Sequence, residues 1–205
     1  MYVPPNFKVD EAAAWRVVDD AGAGMLVINT DEGLMSVFVP VVTSEDRRTI
    51  RFHVARANAW WRAVEDGDEV LALFLAASAY VSPSLYPSRL DSPGVVPTWN
   101  YVACEVRGRL RVHDDKEWTS TQIHDLTDHF ESGRSPRWHV EDSPAEYIGH
   151  QLSAIVGFEL EVTSIVGKAK LSQNRPGIDH DNVRDTFSEG SLSERNVSSR
   201  MTLDT

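Results

Sequence analysis

Four short stretches of the chain carry residue types that could do chemistry. The first is His53-Val54-Ala55-Arg56-Ala57-Asn58. It ends an alternating apolar run on an imidazole, adds a guanidinium, and closes on an amide that can cap a helix. A helix start offers unpaired N–H groups and the positive end of its dipole, so it suits a phosphate or carboxylate. Arg56 would add a planar two-pronged donor, with His53 at the strand end beside it. The same residues are equally consistent with Asn58 as a plain cap and Arg56 as a surface arginine. The second stretch is the run from Tyr80 to Arg89, where Ser82, Ser84, Ser88 and two tyrosines alternate with prolines that stiffen the backbone. That composition fits a cofactor wall, or a rigid surface loop. In the third, Trp99-Asn100-Tyr101, two aromatics flank an amide, which can grip a flat ring or open a strand with buried aromatics. The fourth runs from Lys168 to Pro176 and holds Lys168, Lys170 and Arg175 around Gln173, a cluster of cations in an acidic chain.

Other chemistry finds less support. On a helix, His124 and Asp128 would face each other, as would Asp125 and His129, but no third metal ligand accompanies either pair. No Walker loop, GxGxxG, GxSxG or HExxH motif occurs. Nucleotide triphosphatase, Rossmann, α/β-hydrolase and zincin readings therefore lack a motif.

These groups need elements to position them. Asp10 is expected to cap a helix with Trp15 and Val18 inward, ended near Gly22 and Gly24. Residues 25–28 and 34–42, around the turn 29–33, read as a β-hairpin whose second strand, holding Pro40, lies at an edge or bends. A strand over 49–54 leads to a short helix after Asn58 with Trp61 and Val64 inward. Val70 to Leu75 reads as a central strand, and 78–97 as a long ordered loop. A long strand covers 99–112, with Gly108 marking a bulge or bend. Asp114 or Asp115 starts a helix with Trp118, Ile123, Leu126 and Phe130 on one face. Ser143-Pro144 starts another helix, and a strand follows over 155–166. The polar end suggests at most one short helix, near Val183 to Phe187, and then a flexible tail. The expected division is a folded domain over 1–176 and a short helix with tail over 177–205. Strands separated by turns, with helices between and outside them, predict an α+β fold built on an antiparallel barrel.

The 205 residues suffice for a real core, with 41% hydrophobic and 25% charged residues. Lysines and arginines number 20 against 31 acids, a formal charge of −11. Duplex binding draws on a basic face, so direct DNA binding is disfavoured. The single Cys104 excludes an intramolecular disulfide and a Cys-rich zinc site, and its alternating context reads as a small buried hydrophobe. With no apolar run long enough to cross a bilayer and no signal-like N-terminus, the expected location is the cytoplasm.

Taken in order, the opening MYVPPNF, then HVARANAWW, AYVSPSLYPSR, VVPTWNY and KAKLSQNRP, resemble the PaiB family, proteins described as FMN-binding negative transcriptional regulators. The resemblance runs from Met1 to about Pro176. It implies a split β-barrel related to pyridoxamine phosphate oxidase, a homodimer with cofactor sites at the subunit interface, and FMN as cofactor. It also implies that His53, Arg56 and Asn58 hold the FMN phosphate. Tyr80, Ser82, Trp99, Asn100 and Tyr101 would line the ring, and Lys170 and Gln173 would close the site. The expected function is that of a flavin-dependent oxidoreductase or flavin-binding regulator acting on a small molecule. The chain is also similar to the piperazate synthases, a haem branch that closes an N–N bond. There the corresponding histidine serves as iron ligand, which would make His53 the axial ligand of haem b. Several positions depart from the family pattern: Phe38-Val39-Pro40 replaces His-Leu-Pro, Leu85 a tryptophan, Ala169 an aromatic, Ala77-Ser78 a Gly-Pro pair, and Glu105 a histidine.

Overall fold

The computed structural model describes residues 1–31 and 33–201. Among the described residues, seven strands form one sheet in the order β2-β1-β5-β6-β7-β4-β3, with every recorded pairing antiparallel. They are β1 (Ala23–Thr30), β2 (Gly33–Pro40), β3 (Val42–Thr43), β4 (Thr49–Ala55), β5 (Glu69–Val81), β6 (Thr98–His113) and β7 (Ile155–Lys170). Five α-helices accompany them: α1 (Glu11–Ala21), α2 (Lys116–Glu131), α3 (Ala145–Ser153), α4 (Gly177–Ser188) and α5 (Leu192–Met201). Short 3-10 turns fill the connections.

The chain divides into two compact units. The first comprises Met1–Ala21, Phe74–Glu105 and the chain from Ile165 onward. Here the Asp10 carboxylate accepts the Ala13 N–H at 2.7 Å and starts α1, burying Trp15, Val17 and Val18 as its apolar spacing requires. Gly167 on β7 lets α1 approach, since a Cβ there would lie 2.9 Å from that of Ala14. Cys104 is buried in this unit, and burial pushes its thiol up to about 12, so it is a packing residue and not a nucleophile. The C-terminal segment departs from expectation. Two helices stand where one short helix and a tail were predicted, and they bury Val183, Phe187, Val197 and Met201. Apolar residues spaced four apart suffice to seat a helix on a core even when the sequence around them is polar. The last four residues of the predicted tail lie outside the described residues. The predicted loop over 78–97 is also shorter: β5 runs on to Val81, and two 3-10 turns, Pro83–Leu85 and Pro87–Leu90, follow.

The second unit comprises Gly22–Leu73 and Val106–Ser164. The expected hairpin forms, with Met25 opposite Phe38 and Thr30 opposite Gly33; Glu32 of the predicted turn lies outside the described residues. Strand β2, which carries Pro40, ends the sheet order, as a strand with that residue should. The segment after Asn58 is a 3-10 turn, Ala59–Ala63, and it buries Trp60 where Trp61 was expected. Trp60 meets Phe158 edge-on at 5.4 Å, and Phe158 stacks on Phe52. Gly108 answers to close packing, since a Cβ there would lie 2.8 Å from Leu160 Cγ. Helix α2 starts at Asp115, whose carboxylate accepts the Trp118 N–H. Its fully buried positions are Thr119 and Gln122, while Phe130, expected inward, is exposed.

Candidate functional site

In the second unit, β4 alternates, burying Ile50, Phe52 and Val54 on one face and turning Arg51 and His53 to the other. Helix α2 covers that second face. His53 Nδ1 lies 2.9 Å from Gln122 Oε1, and Arg51 Nη1 lies 2.7 Å from Asp125 Oδ2. Opposite His53 on β7 stands Gly157, and the missing side chain there makes room for the Trp118 ring. That ring stacks on His113 at 4.0 Å and 4°. Gln122 is wholly buried, and its Nε2 has no partner among the described residues, nor has His113 Nε2. With Nδ1–H donated to the Gln122 carbonyl, neutral His53 keeps a lone pair on Nε2. The protonated ring keeps the same bond and presents Nε2–H as a donor.

The other two residues of the predicted anion site are engaged differently. Both terminal guanidinium nitrogens of Arg56 meet the Asp114 carboxylate, and the group also donates to the carbonyls of Ser153 and Ile155. This pairing holds the Asp114 carboxyl below its usual range. Arg56, Lys116, Asp114 and Thr119 line a small cavity of about 140 Å³. The Asn58 side chain accepts the Trp60 N–H at 3.0 Å, so it is the cap of a single 3-10 turn. The helix-dipole anion site predicted at this junction is therefore not built: five residues of 3-10 helix carry little dipole, and the cap fills the first donor. An anion here would depend on His53 and on Arg56 exchanging its carboxylate partner.

In the first unit, Tyr80 on β5 and Trp99 on β6 meet edge-on at 6.2 Å and remain 50% and 54% exposed. Two half-exposed aromatics on neighbouring strands fit a planar ring system. Tyr101 lies under the Lys168 ammonium at 5.3 Å. Lys170 donates to Thr98 Oγ1 and to the Trp99 carbonyl, and desolvation, with Lys168 and Arg175 nearby, pulls its pKa down. Asn100 is fully buried and exchanges two hydrogen bonds with Ser172 Oγ at 3.0 and 3.1 Å. Gln173 accepts the Leu171 N–H and donates to the Ala169 carbonyl. Ser82 caps the turn that follows it. Asn100, Ser82 and Gln173 thus hold backbone and turns in place, while Tyr80, Trp99 and Tyr101 present ring surface.

The helical pairs considered as metal ligands do not form. The Ser120 carbonyl and then Glu141 hold His124 protonated above its usual range, Asp128 binds Arg137, and Asp125 binds Arg51. Sequence reasoning missed Gln122 and Asp114. A polar residue buried mid-helix carries no periodic signal, and only the strand it roofs explains it.

Residues 1–164 match the model of the family described as "Putative FMN-binding domain". The protein of Bacillus subtilis called protease synthase and sporulation protein PAI 2 is 32% identical over 187 residues, covering 89% of this chain and 87% of that one. The chain belongs to the PaiB family. FMN, the cofactor expected from the sequence, is the one the family description carries. Among solved structures, the FAD and haem binding protein of Mycobacterium smegmatis aligns at TM-score 0.58 and 14% identity, over 78% of this chain and 71% of that one. A protein of Bacteroides thetaiotaomicron described as a "putative 5-nitroimidazole antibiotic resistance protein" aligns at 0.57 and 13%, over 78% and 85%. At such identities the likeness establishes the fold alone, and this PaiB-family chain has the expected split β-barrel with flanking helices. No helix among the described residues is long and apolar enough to cross a membrane.

Proposed function

We propose that this PaiB-family protein is a flavin-dependent oxidoreductase acting on a small molecule in the cytoplasm. The observation that carries the reading is the half-exposed Tyr80–Trp99 pair, in a chain whose family is described by FMN binding. Bound FMN would supply hydride or electron transfer, and the protein the orientation and the field. In the first unit, Tyr80 and Trp99 offer a face to a planar ring. In the second, His53 and Arg56 are the groups with chemistry for an anion. A role as a regulator on duplex DNA has the formal charge of −11 against it.

A second reading has its own support. The Nδ1–H bond from His53 to Gln122 is the second contact that metal-bound histidines usually make, and it leaves Nε2 as the ligand atom. In this reading His53 holds the iron of haem b, and the substrate is an N-hydroxylated amine.

The absorbance spectrum after incubation with FMN and with hemin tests both. The flavin reading expects bands near ~370 and ~450 nm, properties of the cofactor itself. Loss of one stacked aromatic in Trp99→Ala should then weaken FMN binding about tenfold. The haem reading expects a Soret band near ~410 nm that disappears in His53→Ala. Uptake of neither cofactor would sink both.

We also propose that the protein works as a homodimer. In the second unit, Phe38, Met25 and Leu73 lie side by side on β2, β1 and β5, paired directly across the sheet and all exposed, Phe38 by 65%. An apolar row of this kind is an expected partner surface, and a second copy is the occupant proposed. Sedimentation velocity should give a dimer for the parent protein and a monomer for Phe38→Asp. A monomeric parent would remove the proposal, and a dimer that persists in the Phe38→Asp variant would remove this row as its interface.

A further inference from the structure

Within the first unit, a cavity of about 340 Å³ opens between α1, the segment just before it, β6, β7 and α5. Its floor is apolar and buried: Val17, Val102, Ala169 and Leu171. Ala169 determines its depth, because a larger side chain there would occupy the space. Strand alternation sets Val102 and Ala169 on the face opposite to Tyr101 and Lys170, so the cavity lies away from those ring-side groups.

The charges at the mouth are unevenly matched. Asp20 is paired with Arg200 at 2.5 Å, and Asp10 is committed to the Ala13 N–H. The mouth thus sets three cations, Lys8, Arg16 and Arg200, against two acids, and Lys8 and Arg16 are exposed and make no ion pair among the described residues. In a chain with eleven more acids than bases, a local excess of positive charge, with two cations outside any ion pair, beside an apolar floor calls for a ligand with one negative end and an apolar body.

We infer that this cavity binds a small monocarboxylate, with its carboxylate on Arg16 and Lys8 and its acyl or aryl body over Val102 and Ala169. The inference is independent of the flavin or haem readings, since none of these residues belongs to the groups assigned there.

Calorimetric titration of the full-length protein with decanoate, indole-3-acetate and decanol tests it. Saturable one-to-one binding is expected for at least one acid, and the tighter of the two tells an acyl from an aryl pocket. Arg16→Glu should weaken that binding at least about tenfold, the usual worth of a charge-assisted contact. Ala169→Phe should abolish it by filling the floor. Arg16 is a surface residue, so its variant keeps the test decisive even if the Ala169→Phe change disturbs folding. The inference is overturned if neither acid binds, if decanol binds as tightly as decanoate, or if Arg16→Glu leaves the affinity unchanged.

Discussion

Gly157→Ala is expected to destabilise the protein by about 1–3 kcal/mol, the usual cost of forcing extra atoms into a packed site. For a chain of this length that is a fall of roughly 2–12 °C in Tm. The added Cβ would lie within 2.6 Å of Trp118 Cε3 and 3.3 Å of the His113 carbonyl, so the indole must leave its stack on His113. Trp118 sits on the first turn of α2, and Gln122 follows one turn later. Displacing the first loosens the second from His53, so cofactor uptake that depends on His53 should weaken alongside stability. Gly149→Ala is the control: nothing lies within 4 Å of its new Cβ, and it falls inside α3. It should raise stability by about 0.5–1 kcal/mol, the helix preference for alanine over glycine. Thermal melts that moved both variants in the same direction would refute the packing argument.

Asp179→Ala should cost about 3 kcal/mol, because it removes two charge-assisted hydrogen bonds from a wholly buried carboxylate. Asp179 accepts the Ser88 N–H at 3.0 Å and the Ser88 hydroxyl at 2.6 Å, which ties the turn Pro87–Leu90 to the first turn of α4. A carboxylate there also suits the positive end of the helix. With alanine, the Ser88 groups lose their acceptor. Asp179→Asn keeps one acceptor oxygen and should cost about 1 kcal/mol, half or less of the alanine value. Urea unfolding gives the ranking, and hydrogen exchange at the Ser88 amide locates it. An alanine variant as stable as the parent, or an asparagine variant worse than alanine, would show that the carboxylate is not what anchors the turn. Leu85, also held from α4 through the Asn182 amide, should exchange faster as well.

Much of the fold was legible in the sequence, for physical reasons. Strict alternation over 49–54 and 99–112 marks strands, because a one-residue slip would expose every buried side chain. The hairpin was marked by Gly33 between two apolar runs, and Asp10 and Asp115 announced their helices through the capping bonds they make. Cys104 was readable as a packing residue because its neighbours alternate with it. What failed failed for reasons just as specific. Residues 177–201 look polar on average, yet Val183, Phe187, Val197 and Met201 are enough to seat two helices. The 3-10 turn after Asn58 has three residues per turn, so it turns Trp60 inward where an α-helical reading chose Trp61.

The candidate site divides along the same line. By itself, the order of motifs determined the family, the flavin class and the chemical types on offer: a strand-end histidine, an arginine, and aromatics on two neighbouring strands. Only the tertiary structure decided how those groups are committed. Arg56 belongs to Asp114, 58 residues away in the chain, and His53 to Gln122, 69 residues away. Asn100 spends its amide on Ser172, and Tyr80 and Trp99 keep their faces open. Local sequence sets which groups a segment carries and how they alternate. Which of them are already satisfied depends on partners that only chain folding brings within hydrogen-bond reach.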